Sequence, residues 1–238
     1  MKKSILTILV IVFAVLTNLS HAQTLDEILA KHFEAKGQET LVAAKTISVK
    51  AKVSQMGMDI PLEMKIKKPN KFLITFEMQG QKIMQAFDGE KGWILSPMTG
   101  TEPQELAGDQ LIQAQQQADL EGELYSYKEK GSTAVFSGKV NLDGKDAFRI
   151  KLTTKDGNSK DYFIDADTYN ILKVKASVNA QGQTFEVEQI MDDYKSFSGA
   201  FLPAKMISKT PMGNAEIIFE DISFNIDLDE SIFEKPGK

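Results

Sequence analysis

The stretch from Met58 to Met78 constrains the fold more than any other. Met58, Ile60, Leu62, Met64 and Ile66 alternate with Asp59, Pro61, Glu63, Lys65 and Lys67. Lys68, Pro69 and Asn70 interrupt the pattern, and Phe72, Ile74, Phe76 and Met78 resume it against Leu73, Thr75 and Glu77. Strict alternation is the mark of a strand with one dry and one wet face. Pro69 fixes φ and brings no amide hydrogen to a ladder, so the interruption reads as a turn. Two antiparallel strands therefore share an apolar face rich in Met and Phe, and something must cover it.

The same rhythm runs through most of the chain. Ile47, Val49, Ala51 and Val53 alternate with polar residues over 46–55, and shorter runs follow at 83–87 and 93–95. Beyond residue 133 the pattern returns at 134–140, 148–152, 162–165, 172–178, 185–191, 201–208 and 215–224. Turn residues such as Asp143-Gly144, Asp156-Gly157 and Gly182 separate these runs. The total is roughly eleven strands at the spacing of a sandwich or barrel. Two segments break the rhythm. Over 24–36, Thr24 and Glu27 have capping-box spacing, Leu25, Ile28, Leu29, His32 and Phe33 share one face, and Gly37 suits the C-terminal cap. Between Ser96 and Gly122 lie Pro97, Gly100, Pro103 and Gly108, then a Gln- and Ala-rich run containing Leu111 and Ile112. It predicts one or two short helices, with Pro103 near the start of the first and Asp109 as a cap. Such an insertion suits a mobile cover. Residues 227–238 are expected to form an extended tail.

The fold class is thus mainly β with a few helices, in one domain over 23–238. Residues 1–22 precede it as a secretory signal peptide: Lys2 and Lys3, an apolar run over 5–16, then Ser20-His21-Ala22. An uncleaved anchor is the rival reading, but the run is short for a bilayer span. Cleavage after Ala22 leaves 238 − 22 = 216 residues, and the net charge of −5 becomes −5 − 2 = −7 with Lys2 and Lys3 removed. That acidity argues against nucleic acid and anionic membrane as partners. The chain has no Cys, hence no disulfide and no lipidated N-terminus. Export without a lipid anchor implies a periplasmic protein.

Catalytic signatures are missing. There is no Cys nucleophile, Gly-x-Ser-x-Gly elbow, phosphate-binding loop, His-Glu-x-x-His motif or dinucleotide fingerprint. The one histidine after residue 22, His32, lies on the apolar face of the first helix and reads as a packed residue. The pairs Asp165/Asp167 and Asp192/Asp193 lack the ligand spacing of a calcium loop and read as turn and surface carboxylates. No enzyme, metal or cofactor is expected. What remains is Met, concentrated in the first half of the sheet and near the insertion; it either fills a core or lines an adaptable pocket.

Three local patterns now meet. Lys67-Lys68-Pro69-Asn70-Lys71-Phe72 falls between two long strands, Asp88-Gly89 is followed by Trp93, and a helical insertion comes directly after Ser96-Pro97. With an exported chain and a leading amphipathic helix, this resembles the LolA/LolB-type lipoprotein-carrier family. The resemblance implies an unclosed, strongly curved antiparallel β-barrel with helices over its concave face. It also implies a hydrophobic cavity that shields lipoprotein acyl chains or other lipids, with an inner-membrane donor and an outer-membrane acceptor as partners and a monomeric carrier. On that footing Val49, Leu62, Met64, Phe72, Ile74, Phe76, Met78 and Trp93 would line the cavity, and Leu106, Leu111 and Ile112 would cover it. The family commonly has Arg before the Pro-Asn pair, holding the lid closed. Lys68 stands there in this chain and lacks the planar five-donor fork, so a weaker latch, or none, is expected. The alternative is a non-catalytic interaction or sensor domain whose concave face is filled.

Overall fold

Thirteen strands form one antiparallel sheet in the computed structural model, which describes residues 23–237 apart from 79, 99, 101, 120, 181, 182 and 212. The segment assigned to a signal peptide and the turn residue Gly182 lie outside the described residues. The strands are β1 (Thr46–Gln55), β2 (Met58–Lys67), β3 (Lys71–Met78), β4 (Gln81–Phe87), β5 (Gly92–Leu95), β6 (Gln104–Glu105), β7 (Thr133–Leu142), β8 (Lys145–Thr153), β9 (Ser159–Asp165), β10 (Ile171–Ala180), β11 (Gln183–Phe197), β12 (Ala200–Thr210) and β13 (Gly213–Phe224). Their order is β6-β5-β4-β3-β2-β1-β13-β12-β11-β10-β9-β8-β7, so β6 and β7 are free edges and the curved sheet stays unclosed. Every neighbour but the β1–β13 pair is joined by a direct hairpin or a short return.

Two of the three α-helices follow the sequence pattern in type, though not always in extent. Helix α1 (Leu25–Lys36) starts with the expected capping box: Thr24 Oγ1 accepts from Glu27 N, and Thr24 N donates to the Glu27 carboxylate. Gly37 ends it with φ 69° and passes the chain directly into α2 (Gln38–Ala43), a helix the pattern did not reveal. A Cβ on Gly37 would lie 2.6 Å from the Gly199 carbonyl oxygen in the β11–β12 turn, so only glycine permits this joint. The insertion holds one helix, α3 (Gly108–Gln117), which starts one residue before Asp109 rather than after it. No helix forms at Pro103. Residues 104–105 pair with β5 instead, giving the short β6 that an alternation search cannot detect.

Register fixes the two faces of the sheet. The inner face carries Val49 opposite Met64, Leu62 opposite Phe76, and Met64 opposite Ile74. Leu106, Leu111, Ala114 and Ala118 pack onto this wall with Phe72, Phe87 and Leu41. Helix α1 covers the other half, where Ile28 and Leu29 pack against Ile150, Leu152, Tyr162 and Ile164. The outer face bears cross-strand ion pairs, including Lys52–Asp59 at 3.0 Å, Lys205–Glu216 at 2.7 Å and Lys175–Glu188 at 2.6 Å. Strand alternation therefore separates an oily interior from a charged exterior.

The C-terminal segment is not a loose extended tail. Asp229 caps a 3-10 turn (Glu230–Phe233), and Phe233 is fully buried on the outer face with Leu73, Ala86 and Trp93. The Trp93 indole donates to the Phe233 carbonyl at 2.9 Å, and Glu230 accepts from both Lys67 and Lys71 at 2.8 Å. Leu228, Ile232 and Phe233 supply the apolar surface that holds this segment down.

Candidate functional site

The expected cavity wall is largely core. Val49, Leu62, Phe72 and Ile74 are buried, and Met64 and Phe76 pack against them beneath α3. Leu106 and Leu111 belong to the same packed cluster. Met78 is half-buried at the end of β3. Trp93 departs from the expectation outright: it pairs with Ala86 on the outer face, under Phe233, and cannot share a cavity with Phe72. A single register step separates the two faces of β5, and Gly92-Trp93-Ile94-Leu95 carries apolar residues on both. Met56, Met58 and Met98 are exposed rather than lining a pocket.

Open space lies on the neighbouring part of the inner face. A groove of about 540 Å³ runs between α3 and strands β9–β11. That size falls within the ~300–1,000 Å³ typical of small-molecule sites. Ile171, Val174, Ala176, Val187 and Met191 form its floor, and Ile112 roofs it from α3. Of the residues assigned to the cavity wall or its cover, Ile112 alone contributes to this groove, together with Met191 from the methionines read as core or pocket. Its opposite side is polar: Gln113 and Gln117 from α3, Gln189 from β11, Asn158 and Ser159 at the start of β9, and a Glu123–Lys160–Tyr162 cluster. Lys160 Nζ lies 2.6 and 2.8 Å from the two Glu123 oxygens, and the Tyr162 hydroxyl donates to the same carboxylate at 2.5 Å. Burial and the adjacent Glu123 charge push the Tyr162 phenol well above its ordinary pKa, so it remains a donor.

The segment leaving α3 is tied down by a regular device. Asp119, Glu121 and Glu123 occupy every second position, and each meets a different lysine. Asp119 pairs with Lys130 at 2.6 Å, Glu121 with Lys68 at 2.9 Å, and Glu123 with Lys160. Lys68 also donates to the Val42 carbonyl, and Gln38 Nε2 donates to the Glu121 carbonyl at 2.8 Å. Lys68 thus bridges the C-terminal flank of the cover, through the Glu121 carboxylate, and helix α2, through the Val42 carbonyl, a geometry a point-charge ammonium can satisfy. Lys36 lies in the same area; burial lowers its pKa to about 8, opposed by Asp119 and reinforced by Lys130.

The other singled-out polar groups have structural partners. His32 is 4% exposed, and its Nδ1 lies 2.8 Å from the Tyr169 carbonyl, which can only accept, so Nδ1 carries the proton. Asp165 accepts from the backbone N–H groups of Asp167 and Thr168 in a turn. Asp193 pairs with Lys195. Among the described residues no group of three His, Asp or Glu side chains could hold a metal ion, and no helix is long and apolar enough to cross a membrane.

These features define a class: an unclosed, mainly β barrel whose helices cover the inner face and leave a groove beside the cover. The fold is LolA-like. A DUF1329 family protein from Desulfovibrio piger superposes with a TM-score of 0.61 at 14% identity, over 87% of this chain and 97% of that one. A LolA superfamily protein from Nitrosomonas europaea gives 0.60 at 14%, over 90% and 99%. An outer-membrane lipoprotein-sorting protein domain, so described, from Vibrio parahaemolyticus gives 0.57 at 15%, over 87% and 94%. At these identities the likeness is one of fold. No protein-family profile and no curated protein matches the sequence. The two motifs that first suggested the resemblance touch one another: Asn70 Nδ2 donates to the Gly89 carbonyl at 3.1 Å, joining the β2–β3 and β4–β5 turns.

Proposed function

We propose that residues 23–238 form a soluble, non-catalytic carrier that binds the acyl chains of lipidated proteins, or other lipids, after export through a signal peptide at 1–22. The observation that carries this reading is the groove of about 540 Å³ between α3 and β9–β11, with an apolar floor and a helical roof. An acyl chain gains about 0.8 kcal/mol per buried methylene, so burying about eight would supply about 6 kcal/mol. Such an affinity permits both capture and release. Lys68 acts as a latch on the cover, and delivery from an inner-membrane donor to an outer-membrane acceptor is the role this design suits. One neighbour, described as an outer-membrane lipoprotein-sorting protein domain, supports the reading at the level of fold.

The test is direct. The protein is purified, extracted with organic solvent and analysed by mass spectrometry, and its binding of the neutral fluorescent lipophile N-phenyl-1-naphthylamine is titrated. Co-purifying lipid and saturable probe binding that Ala176→Phe abolishes, at unchanged melting temperature, are expected. A clean extract without saturable probe binding refutes the carrier. The packed wall beneath α3 favours a second reading, an interaction domain with a filled inner face. On that reading the protein stays free of lipid, and Phe76→Ala and Leu111→Ala only lower its stability.

A further inference from the structure

The polar side of the groove carries a specific arrangement of charge and hydrogen-bonding capacity. The Glu123 carboxylate and the Lys160 ammonium neutralise one another through contacts of 2.6 and 2.8 Å, and Tyr162 gives its hydroxyl proton to the same carboxylate. Neither charge is left over. Around them stand the carboxamides of Gln113, Gln117, Asn158 and Gln189. None of these four side chains has a hydrogen-bond partner among the described residues, so each offers both donors and an acceptor to whatever enters. Gln113 and Gln117 are four residues apart on α3 and present their amides along one face of the helix, while Gln189 rises from the floor beside Val174.

Deepening the groove reading, on which it rests, we propose that the ligand is a neutral amphiphile: an acyl chain on the Val174–Val187–Met191 floor and an uncharged headgroup of ester, amide or hydroxyl groups among the carboxamides. A free carboxylate or phosphate headgroup would approach Glu123 and find Lys160, the one cation among the described residues that line the groove, already paired. A quaternary ammonium would meet Lys160. Either ion loses water without gaining a counter-charge. Ester carbonyls, amides and hydroxyls instead match unpaired carboxamides, which both give and accept hydrogen bonds.

Three amphiphiles with the same sixteen-carbon chain separate the possibilities: monopalmitoylglycerol, palmitate and hexadecyltrimethylammonium, each below its micellar concentration. Each is titrated against the bound naphthylamine probe. Monopalmitoylglycerol should displace the probe at a concentration at least tenfold lower than either ion. Equal displacement by all three overturns the headgroup inference and leaves the groove reading standing. Displacement by none overturns both. Glu123→Gln keeps the shape and an acceptor for Tyr162 but frees Lys160, so palmitate should gain at least tenfold while monopalmitoylglycerol changes less than twofold. Lys160→Met is the mirror variant, and should improve hexadecyltrimethylammonium in the same way. A headgroup order that neither substitution moves overturns the proposal.

Discussion

Lowering the pH should weaken this fold through one residue, His32, before its carboxylates respond. The imidazole is 4% exposed, and burial lowers its pKa from 6.5 to about 4, against the raising effect of the Tyr169 carbonyl and with a further lowering by Lys36. The folded-state value lies below the unfolded one, so protonation favours the unfolded chain. The stabilisation from neutral His32 is complete above pH 6.5 and is lost as pH falls from 6.5 towards 4. The fall from 6.5 to about 4 corresponds to about 3 kcal/mol in full, most of which has gone by pH 4.5. Carboxylates held low, such as Glu188 by Lys175 and Glu230 by Lys67 and Lys71, contribute stability above their unfolded values and lose it only below about pH 4.5. The assay is urea unfolding from pH 7 to pH 4.5 for the wild type and for His32→Gln, which retains a donor for Tyr169 but cannot become charged. The wild type should lose about 2 to 3 kcal/mol more than the variant over that interval. Parallel curves, or a His32 resonance that titrates near 6.5, would refute the reasoning.

Three further perturbations test the frame around the groove. Phe233→Ala removes a fully buried ring from the outer face and should cost about 3–5 kcal/mol in denaturant unfolding, whereas an unattached tail would tolerate it. Gly37→Ala meets both a left-handed φ of 69° and the Gly199 oxygen, so a loss of about 2 kcal/mol or more is expected, and an unchanged melting temperature would contradict the α1–α2 joint. A double-mutant cycle on Lys68→Met and Glu121→Gln should give a coupling of about 1 kcal/mol that shrinks in high salt; zero coupling would remove Lys68 as a latch.

Much of the architecture is legible in alternation alone, because a half-buried strand needs period two and this chain obeys it over long stretches. The apolar series Val49, Leu62, Met64 and Phe76 falls on one face across β1–β3, as alternation requires, although alternation alone does not set the register. What alternation cannot say is which apolar residue of a short run faces inward, and Trp93 shows why. Its strand has four residues, both of its faces are covered, and its cover comes from Phe233, 140 residues away. A signal did exist in Leu228, Ile232 and Phe233, an apolar cluster too strong for an idle tail. The β6 strand left no trace because two residues cannot display a period.

The groove was harder to locate for a different physical reason. Apolar density in a sequence marks where surface must be buried, and the densest apolar face, β1–β5, is the one that α3 fills most completely. A site that admits a ligand must be left partly uncovered, so its walls tolerate polar residues, and the strands β9–β11 read as ordinary alternation with Gln189 and Lys160 at inner positions. Those inward polar residues are the more informative signal, because a buried ion pair or carboxamide weakens a core unless something satisfies it. The other signal is Asp119-x-Glu121-x-Glu123. Three carboxylates at alternate positions repel one another unless each has its own cation, and here Lys130 in the turn segment before β7, Lys68 in the β2–β3 turn and Lys160 on β9 each hold one of them. That arrangement holds the cover at its C-terminal flank and places Glu123 at the groove wall, so the device that fixes the lid also sets the charge that an incoming headgroup meets.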